Sequence, residues 1–471
     1  MKSIIISLYL LLSSYANTSF ADFSSAVSNY NKGNYNTAFK EFKHLAEQGN
    51  IGAQTNLGMM YEHGTGTPKD YKQAAYWYRM SAKQGGAAAQ YNLGVLYTNG
   101  RGVPKNDKRA VEWYKKSAEQ GFANAQSNLG FMYAEGRGGL PKDSKRAVEL
   151  YKQAAAQGYS IAQSNLGLMH AKGRGGLPKD DKRAVELYKK SAEQGYSLAQ
   201  SNLGLMYAKG RGGLPKDDKR AVELYKKSAE QGYSIAQYNL GLMYESGRGG
   251  LPKDVNKAVY WHTKASKQGF SVSQYNLGVI YSEGRNIPKN YKRAVEFYKK
   301  SAVQGYSDAQ FNLGLMYKSG KGVPKDYKQA AYWYRMSAKQ GGAAAQDSLG
   351  VMYANGQGVP KNDKQAVEWF KKSAKQGHSI AQHHLGVMYE SGRGGLLKDE
   401  KQASEWYRKA KEQGYVSTKY DDASIAYEGA KKGMAAAGWA VFALLALLLY
   451  KIINVLLIRY KKRKDAAKKI T

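Results

Sequence analysis

A short motif recurs ten times at nearly constant spacing, and this repetition constrains the fold more than any other feature of the chain. The motif is Ala-Gln-x-Asn-Leu-Gly or a close variant, and successive copies are 36 or 37 residues apart. Its glutamines lie at positions 54, 90, 126, 163, 200, 237, 274, 310, 346 and 382. All nine prolines fall at one equivalent place in nine units, and Leu397 takes that place in the tenth. A regular period of this length is typical of a solenoid of stacked units.

The fifth unit shows what the repeated segment is expected to form. Ser197 and Gln200 have the spacing of a capping box that starts a first helix, and Gly210 is expected to end that helix. Either Asp217 or Asp218 caps a second helix, whose apolar residues recur at helical spacing. Each unit therefore predicts two short helices joined by a glycine-rich loop.

Two short amphipathic helices cannot bury both of their apolar stripes alone, so neighbouring pairs must stack. A glycine within the first helix, such as Gly204, costs helix propensity but allows neighbouring helices to approach closely. The expected fold is therefore all-α: a superhelical solenoid of stacked antiparallel helix pairs, tetratricopeptide-like, followed by one C-terminal transmembrane helix.

The unit A-x-x-x-N-L-G-x-M-Y-x-x-G-x-G-V-P-K-D resembles the Sel-one-like repeat, a relative of the tetratricopeptide repeat, ten times over residues 50–414. Residues 22–49 resemble half a unit and are expected to cap the N-terminal end of the stack. Residues 415–433 are expected to form a C-terminal capping helix or linker. The resemblance implies protein–protein scaffolding and no catalytic residues. A cysteine-rich branch of the family is linked to β-lactam binding or hydrolysis, but this chain has no cysteine.

The first 21 residues have the pattern of a secretory signal peptide. An apolar run over residues 4–12 follows Lys2. Ser19 and Ala21 are small residues at the two positions that define a cleavage site, so cleavage is expected after Ala21. The alternative, an N-terminal membrane anchor, is disfavoured because the apolar run is too short to span a bilayer.

An apolar segment over residues 434–458 predicts a single transmembrane helix. A helix of this length exceeds a hydrocarbon core of about 30 Å, so Lys451 can extend its ammonium group to the interface. The tail over residues 459–471 is strongly basic and is therefore expected in the cytoplasm. The basic residues that flank the span are Lys451, Arg459, Lys461, Lys462, Arg463 and Lys464. The alternative is a buried core helix at the end of the chain.

The residue types argue against most kinds of catalytic or metal site. The chain has no cysteine, which excludes disulfides, cysteine-bound zinc, iron–sulfur clusters and thiol catalysis. His378, His383 and His384 lack the i, i+4 spacing that places two imidazoles on one helical face. The glycine-rich loops follow helices and lack the lysine and hydroxyl residue of a phosphate-binding loop. No enzymatic activity, metal or cofactor is therefore expected.

The chain is strongly basic, with 72 lysines and arginines against 37 acidic residues and a net charge of +35. Much of this charge lies on the second helices, where it is partly paired with glutamates at i, i+3 and i+4 spacing. This excess of basic residues is consistent with a solvated outer face that has no binding role. The functional alternative is that the basic residues attract anionic lipid headgroups, acidic glycans or acidic proteins. Nucleic acid is not an expected partner of an exported domain.

The first helices offer a candidate recognition surface. Positions one, five and eight after the motif glutamine share a helical face, and position one varies among units while position five stays apolar. The residues expected to contact a partner on the concave side are Tyr91, Tyr238, Tyr275, Phe311, Leu242, Val279 and Leu315. The alternative is that these side chains only cover the groove. Position one is serine in three successive units, where little contribution to binding is expected: Ser127, Ser164 and Ser201.

These features favour a bacterial single-pass inner-membrane protein whose periplasmic solenoid binds partner proteins and whose C-terminus lies in the cytoplasm. An adaptor in the endoplasmic-reticulum membrane of a eukaryote is the alternative. It is disfavoured because the only Asn-x-Ser/Thr site, at Asn17, falls within the expected signal peptide. A cell-wall-associated enzyme is a third alternative, disfavoured because no acid/base constellation is present.

Overall fold

A computed structural model describes residues 22–415 as helices joined by short loops, and these residues contain no strand. The first helix, α1, covers residues 22–31. The others are α2 Tyr35–Glu47, α3 Ile51–His63, α4 Tyr71–Lys83, α5 Ala87–Asn99, α6 Asp107–Glu119, α7 Ala123–Glu135, α8 Ser144–Ala156, α9 Ser160–Lys172, α10 Asp181–Glu193, α11 Ser197–Lys209, α12 Asp218–Glu230, α13 Ser234–Ser246, α14 Val255–Lys267, α15 Ser271–Glu283, α16 Tyr291–Val303, α17 Ser307–Ser319, α18 Tyr327–Lys339, α19 Ala343–Asn355, α20 Asp363–Lys375, α21 Ser379–Ser391 and α22 Glu400–Glu412. The predicted all-α solenoid of helix pairs is confirmed over this part of the chain.

The helices form ten repeats after an N-terminal pair, α1 and α2, which stands where the sequence predicted half a unit. Repeat 1 consists of α3 and α4, and the numbering continues to repeat 10, which consists of α21 and α22. The described residues divide into two compact bodies, 22–254 and 255–415, and the division falls between the two helices of repeat 6. Within each body, a first helix packs against the second helix of its own repeat and against that of the repeat before it.

Within each body, a first helix approaches the second helix of its own repeat through a glycine, because a larger residue would strike an aromatic ring. A Cβ atom on Gly204 would lie 2.9 Å from Cε1 of Tyr225, and one on Gly94 would lie 2.6 Å from Cε1 of Tyr114. Both tyrosines are 1% exposed. The predicted role of Gly204 in close helix approach is thereby confirmed, and the ring that requires the glycine lies at the centre of each such repeat.

The motif glutamine links successive repeats rather than capping a helix. The expected capping box of Ser197 and Gln200 is wrong, because Ser197 is the first residue of α11 and its N-cap residue, Tyr196, makes no side-chain cap bond. The amide of Gln200 instead donates to the carbonyl oxygen of Ala192 at 3.3 Å and accepts from the amide of Gln231 at 2.8 Å. These internal bonds give the glutamine a structural reason to recur.

The ends of the paired helices are set by a glycine and an aspartate. Gly210 has a φ of 61° and ends α11, as predicted. Asp217 caps α12 by accepting a hydrogen bond from the backbone N–H of Arg220 at 2.9 Å. Asp218, the first residue of α12, instead forms an ion pair with Arg248, one repeat further along, at 2.7 Å. The two neighbouring aspartates therefore have different roles, one within a helix and one between repeats.

Among the described residues, no helix is both long and apolar enough to cross a membrane. The segments predicted as signal peptide (1–21), transmembrane helix (434–458) and basic tail (459–471) lie outside the described residues. The basic residues at 451, 459 and 461–464 and nearly all of the predicted capping segment 415–433 lie outside them too.

Candidate binding face

The outward side of the first helices forms what we term the first-helix face of each body. It is made by positions two and five after the motif glutamine, which are at least partly exposed in nearly all repeats. Position five is apolar throughout, and its side chain is 45% exposed at Phe131 and 37% exposed at Leu205. It is half-buried at three residues expected to contact a partner: Leu242, Val279 and Leu315. The predicted apolar row therefore lies on an accessible face in both bodies.

Position two is a part of this face that the sequence reasoning missed. It is asparagine in eight of the ten repeats. In the structure these asparagines are half-buried on the first-helix face. Hydrogen bonding by the side chains of Asn128 and Asn312 lowers the pKa of Tyr114 and Tyr298, against the raising effect of burial; each tyrosine lies on the second helix of the preceding repeat. The three-residue spacing between positions two and five was the signal that could have placed both on one face.

The aromatic residues at position one are turned toward the next repeat and are half-buried. The ring centroid of Tyr275 lies 6.0 Å from that of Tyr298 on its own second helix and 5.1 Å from that of Tyr306, which precedes the next first helix. Tyr91 makes the equivalent pair of contacts in repeat 2. Phe311 lies 5.7 Å from its own second-helix tyrosine in repeat 8. These rings therefore fill the space between repeats and leave part of each ring on the first-helix face.

Three aromatic residues at position one of consecutive repeats divide between the two bodies. Tyr238 belongs to residues 22–254, whereas Tyr275 and Phe311 belong to residues 255–415. All three are half-buried. Only the last two are therefore held in the same body.

Position eight hydrogen-bonds the buried tyrosine of its own repeat where it carries a hydroxyl group. The Oγ1 atom of Thr98 lies 3.0 Å from the hydroxyl of Tyr114, and the Oγ atom of Ser282 lies 3.0 Å from that of Tyr298. Burial raises the pKa of Tyr298 to about 12, against the lowering effect of its bonds with Ser282 and Asn312. In repeats 2 and 7 the tyrosine hydroxyl is thus bonded by a hydroxyl of its own first helix.

Repeats 3, 4 and 5 depart from this pattern, and we term their part of the first-helix face the serine segment. Position one is Ser127, Ser164 or Ser201, each at most 2% exposed. The hydroxyls of Ser127 and Ser164 have no hydrogen-bond partner within residues 22–415. Position eight is alanine in all three repeats. Tyr188 and Tyr225 consequently lack the hydroxyl partner found in repeats 2 and 7.

Further polar groups of the serine segment are unpaired. Asn165 and Asn202, at position two, make no side-chain hydrogen bond in the part of the chain that the structure describes. Tyr159 and Tyr196 are half-buried N-cap residues whose side chains make no cap bond. Burial, together with the smaller effects of the phenols of Tyr91 and Tyr196, raises the pKa of Tyr159 to about 12. The phenol groups of Tyr159 and Tyr196, which precede successive first helices, therefore lie near enough to interact electrostatically.

The second body carries ionisable groups at the corresponding positions of repeats 9 and 10. The Nδ1 atom of His384 lies 2.8 Å from Oδ1 of Asp347, and both side chains are nearly buried. The Nδ1 atom of His378, the N-cap residue of α21, accepts from the N–H of Ala381 at 3.3 Å. Burial lowers the pKa of His378, while the carboxylate of Asp347 raises it and His384 lowers it. No group of three or more histidine or acidic side chains among residues 22–415 is placed to hold a metal ion.

Much of the basic charge lies on the exposed sides of the second helices, which we term the second-helix face. Arg183 pairs with Glu186 at 2.8 Å and Arg146 pairs with Glu149 at 2.7 Å, both at the predicted i, i+3 spacing. Other cations, such as Lys189, are exposed. Because exposed ion pairs contribute at most about 1 kcal/mol, this face gains little stability from its charges.

Comparison with known proteins identifies the type of repeat that this chain contains. The family model described as Sel1 repeat matches residues 51–86, 87–122, 123–159, 160–196, 197–233, 234–270, 271–306, 307–342, 343–378 and 379–415. The crystal structure of c5321, a protective antigen present in uropathogenic Escherichia coli strains displaying an SLR fold, is 40% identical, with 80% of each chain covered and a TM-score of 0.62. A Sel1 repeat protein from Oxalobacter formigenes is 34% identical, with 66% of this chain and 88% of that chain covered and a TM-score of 0.47. No curated protein matches the chain.

Proposed function

Since the chain belongs to the Sel1 repeat family, we propose that it is a membrane-anchored, exported scaffold that binds a partner protein on its first-helix face. Proteins of this family are typically protein-interaction scaffolds and are generally non-catalytic. The observation that carries the proposal is the row at position five, where an apolar side chain recurs in all ten repeats and stays accessible in most of them.

A partner that covers this row would gain from removing apolar surface from water, at roughly 25 cal/mol per Å². Single exposed apolar residues are ordinary, but a contiguous row is typical of an interaction site. The row contributes three of the proposed contact residues: Leu242, Val279 and Leu315. The half-buried rings beside it contribute the others: Tyr91, Tyr238, Tyr275 and Phe311.

Export and anchoring rest on the two ends of the sequence. The signal-peptide pattern of residues 1–21 supports export of the repeats, and the apolar segment 434–458 with its basic tail supports one membrane crossing. The related E. coli protein is a protective antigen, which agrees with a location outside the cytoplasm. We therefore favour a bacterial inner membrane with periplasmic repeats over the endoplasmic-reticulum alternative.

The basic residues are proposed to have two supporting roles. Those after the apolar segment, from Arg459 to Lys464, would lie near anionic lipid headgroups. Those on the second-helix face would attract acidic proteins or glycans and speed their association at low salt. Neither role requires a catalytic residue or a cofactor.

The topology is tested with a reporter enzyme that is active only in the cytoplasm. Fused after Thr471 it should be active, and fused after residue 415 it should be inactive. A reporter active only outside the cytoplasm should give the opposite pattern. Activity of the cytoplasmic reporter after residue 415 would overturn the proposed export.

The binding face is tested by placing a photo-crosslinking amino acid in the full chain at Leu205, Leu315 or Lys189. The first two lie on the first-helix face and the third on the second-helix face. A crosslinked partner identified by mass spectrometry is expected from Leu205 or Leu315 and not from Lys189. The matched variants Leu205→Ser and Leu315→Ser should weaken its capture, whereas Lys189→Ser should not. Crosslinking from Lys189 alone would move the site to the second-helix face.

A further inference from the structure

Three successive second helices of the second body carry exposed apolar residues. Four of these residues lie on the second-helix face, and we term them the outer apolar patch: Tyr260 on α14 (52% exposed), Val303 on α16 (65%), and Tyr332 (49%) and Met336 (37%) on α18. They occupy the sixth, tenth or thirteenth position of their helices, and this spacing of four and seven residues places them on equivalent sides. The patch is therefore shared by repeats 6, 7 and 8.

Cations surround the outer apolar patch. Helices α14, α16 and α18 together carry ten lysines and arginines and a single acidic residue, Glu296. The Nζ atom of Lys264 lies 4.8 Å from the ring centroid of Tyr260, and that of Lys300 lies 5.3 Å from the ring centroid of Phe297. Exposed rings and positive charges are therefore interleaved on this surface, with little negative charge among them.

Repeat 1 shows that the sequence of one helix does not make such a surface alone. Helix α4 has the same thirteen residues as α18, and Tyr76 and Met80 are 49% and 37% exposed, as are their counterparts. The second helices on either side of α4 differ, because α2 and α6 together carry five acidic residues. The apolar pair of repeat 1 is thus isolated among charges of both signs, whereas the outer apolar patch continues over three repeats.

We propose that the outer apolar patch binds an anionic lipid surface, that of the membrane in which the protein is anchored. The inference rests on the anchoring proposed above and adds a second contact with the bilayer. The apolar segment 434–458 follows the last described residue, 415, closely in sequence. Even a fully extended chain between residues 415 and 434 reaches at most about 70 Å. The second body is therefore held within reach of the bilayer.

The chemistry of the patch favours lipid as its occupant. A surface binds the bilayer interface through buried apolar area together with attraction of its cations to anionic headgroups. Tyrosine rings suit this interface because they have an apolar body and a polar tip. Lysine side chains lie along apolar surface while the ammonium group reaches a phosphate. A tethered surface also meets lipid at a high effective concentration, which favours the bilayer over a soluble acidic protein.

The test uses the full chain reconstituted in liposomes of phosphatidylcholine with phosphatidylglycerol. Because the chain has no cysteine, Gln329→Cys attaches a single environment-sensitive NBD fluorophore beside Tyr332. Gln73→Cys is the matched control, because it is the same exposed position of the identical helix in repeat 1. The emission of the label at residue 329 should shift to the blue, while that at residue 73 should stay as in water. With phosphatidylcholine alone, neither label should shift.

An apolar variant tests the patch itself. Tyr332→Ser/Met336→Ser, in the Gln329→Cys background, should abolish the blue shift. Tyr76→Ser/Met80→Ser, the same change in repeat 1, should leave it intact. Both pairs are exposed, so neither change removes a core contact. Helical circular dichroism checks the fold of each variant.

A charge variant tests the attraction to anionic headgroups. Lys300→Gln/Lys328→Gln should lower the ratio of docked to undocked protein by about thirtyfold, which corresponds to about 1 kcal/mol for each cation near an anionic membrane. Lys190→Gln/Lys219→Gln changes exposed lysines at the same helix positions of repeats 4 and 5 and should leave the ratio unchanged. High salt should lower the ratio in the wild type, because it screens exposed charges.

Three results would overturn the inference. An unshifted label at residue 329, on anionic liposomes that retain the protein, would leave the patch to a protein partner. Equal shifts at residues 329 and 73 would assign the contact to the helix sequence rather than to the outer apolar patch. Equal shifts with and without phosphatidylglycerol would remove the role of the cations. Failure of anchoring has a different readout, because the protein would then wash off the liposomes in high salt.

Discussion

Repeats 4 and 7 have the same helical frame but complete their first-helix face differently. In repeat 7, Tyr275 packs between two tyrosine rings, and Ser282 bonds the hydroxyl of Tyr298. In repeat 4 the residues at the corresponding positions are Ser164 and Ala171, and the serine hydroxyl has no partner among residues 22–415. The residues at these two positions of the first helix therefore decide whether the tyrosine hydroxyl of the repeat is bonded by a neighbouring hydroxyl group.

The contacts that hold the stack together are the same in both regions. The amide of Gln231 donates to Gln200 at 2.8 Å in the serine segment, and that of Gln304 donates to Gln274 at 2.7 Å in repeat 7. The chemistry of the face can thus change from repeat to repeat without a change of fold, as expected of a one-dimensional stack.

The largest effect is expected at the glycine–ring contact that both regions share. Valine at Gly204 or Gly278 would place Cβ 2.9 Å or 2.5 Å from a tyrosine ring, and overpacking costs about 1–3 kcal/mol, occasionally more. We expect the free energy of unfolding in urea to fall by about 3 kcal/mol for each variant. Gly213→Asn is the control, because Gly213 lies in open space at a φ of 77° that asparagine tolerates. A similar loss in that control would show that the ring contact is not the cause.

The next effect comes from exchanging the position-one residues of the two regions. Tyr275→Ser should lower the free energy of unfolding by about 2 kcal/mol, less than the loss of a fully buried ring, because Tyr275 is half-buried. Ser164→Tyr should change it by less than about 0.5 kcal/mol, because the equivalent space holds tyrosine in other repeats. Urea unfolding followed by circular dichroism measures both. Equal destabilisation by the two changes would mean that the serine segment has no room for a ring.

A smaller and more selective effect is expected at the tyrosine hydroxyls. Tyr298→Phe leaves Ser282 and Asn312 without their common partner and should cost about 1–1.5 kcal/mol. Tyr188→Phe removes a hydroxyl that makes no bond and should be neutral within about 0.5 kcal/mol. Urea unfolding of the two variants measures this difference, as the shift of each unfolding midpoint from that of the wild type. No difference would show that Tyr188 is bonded in solution after all.

The smallest effect is expected from pH at repeat 10, where histidine stands at the position of Tyr159 and Tyr196. Burial lowers the pKa of His378, against the effect of Asp347, so the neutral ring is favoured in the folded state. The stabilisation that neutral His378 gives to the folded state is therefore fully present above about pH 6.5, which is the pKa of an unfolded histidine. It is lost as the pH falls through the lower pKa of His378 in the folded state.

We expect acidification from pH 7.5 to 5.5 to cost about 0.5–1 kcal/mol more in the wild type than in His378→Tyr. Protonation prevents Nδ1 from accepting the N–H of Ala381 and places a positive charge at a helix N-terminus. Thermal unfolding at the two pH values measures this difference. An equal pH dependence in the variant would assign the effect to other groups.

The sequence predicted the helix pairs, the glycine that ends the first helix and the glycine contact because these depend on residues that recur in register. The predicted capping box at the start of the first helix was wrong, because the motif glutamine bonds between repeats instead. The sequence did not predict which neighbour covers each side of a first helix. Positions one and two are adjacent in sequence. Helical spacing alone does not predict that Tyr275 packs toward the next repeat while Asn276 lies on the first-helix face. The unpaired groups around Ser164 were missed for the same reason, since they depend on contacts between repeats. The predicted signal peptide and transmembrane helix lie outside the described residues and stay predictions.

The most direct test of the comparison is a high-resolution crystal structure of the protein. The account predicts ordered water or solute atoms at hydrogen-bonding distance, about 2.7–3.2 Å, from the side-chain amides of Asn165 and Asn202. It predicts a direct bond between Ser282 and Tyr298 in repeat 7. Direct hydrogen bonds between the amides of Asn165 and Asn202 and neighbouring tyrosine hydroxyls would contradict the account. The tyrosine hydroxyls of the serine segment would then have side-chain partners, as that of Tyr298 has in repeat 7.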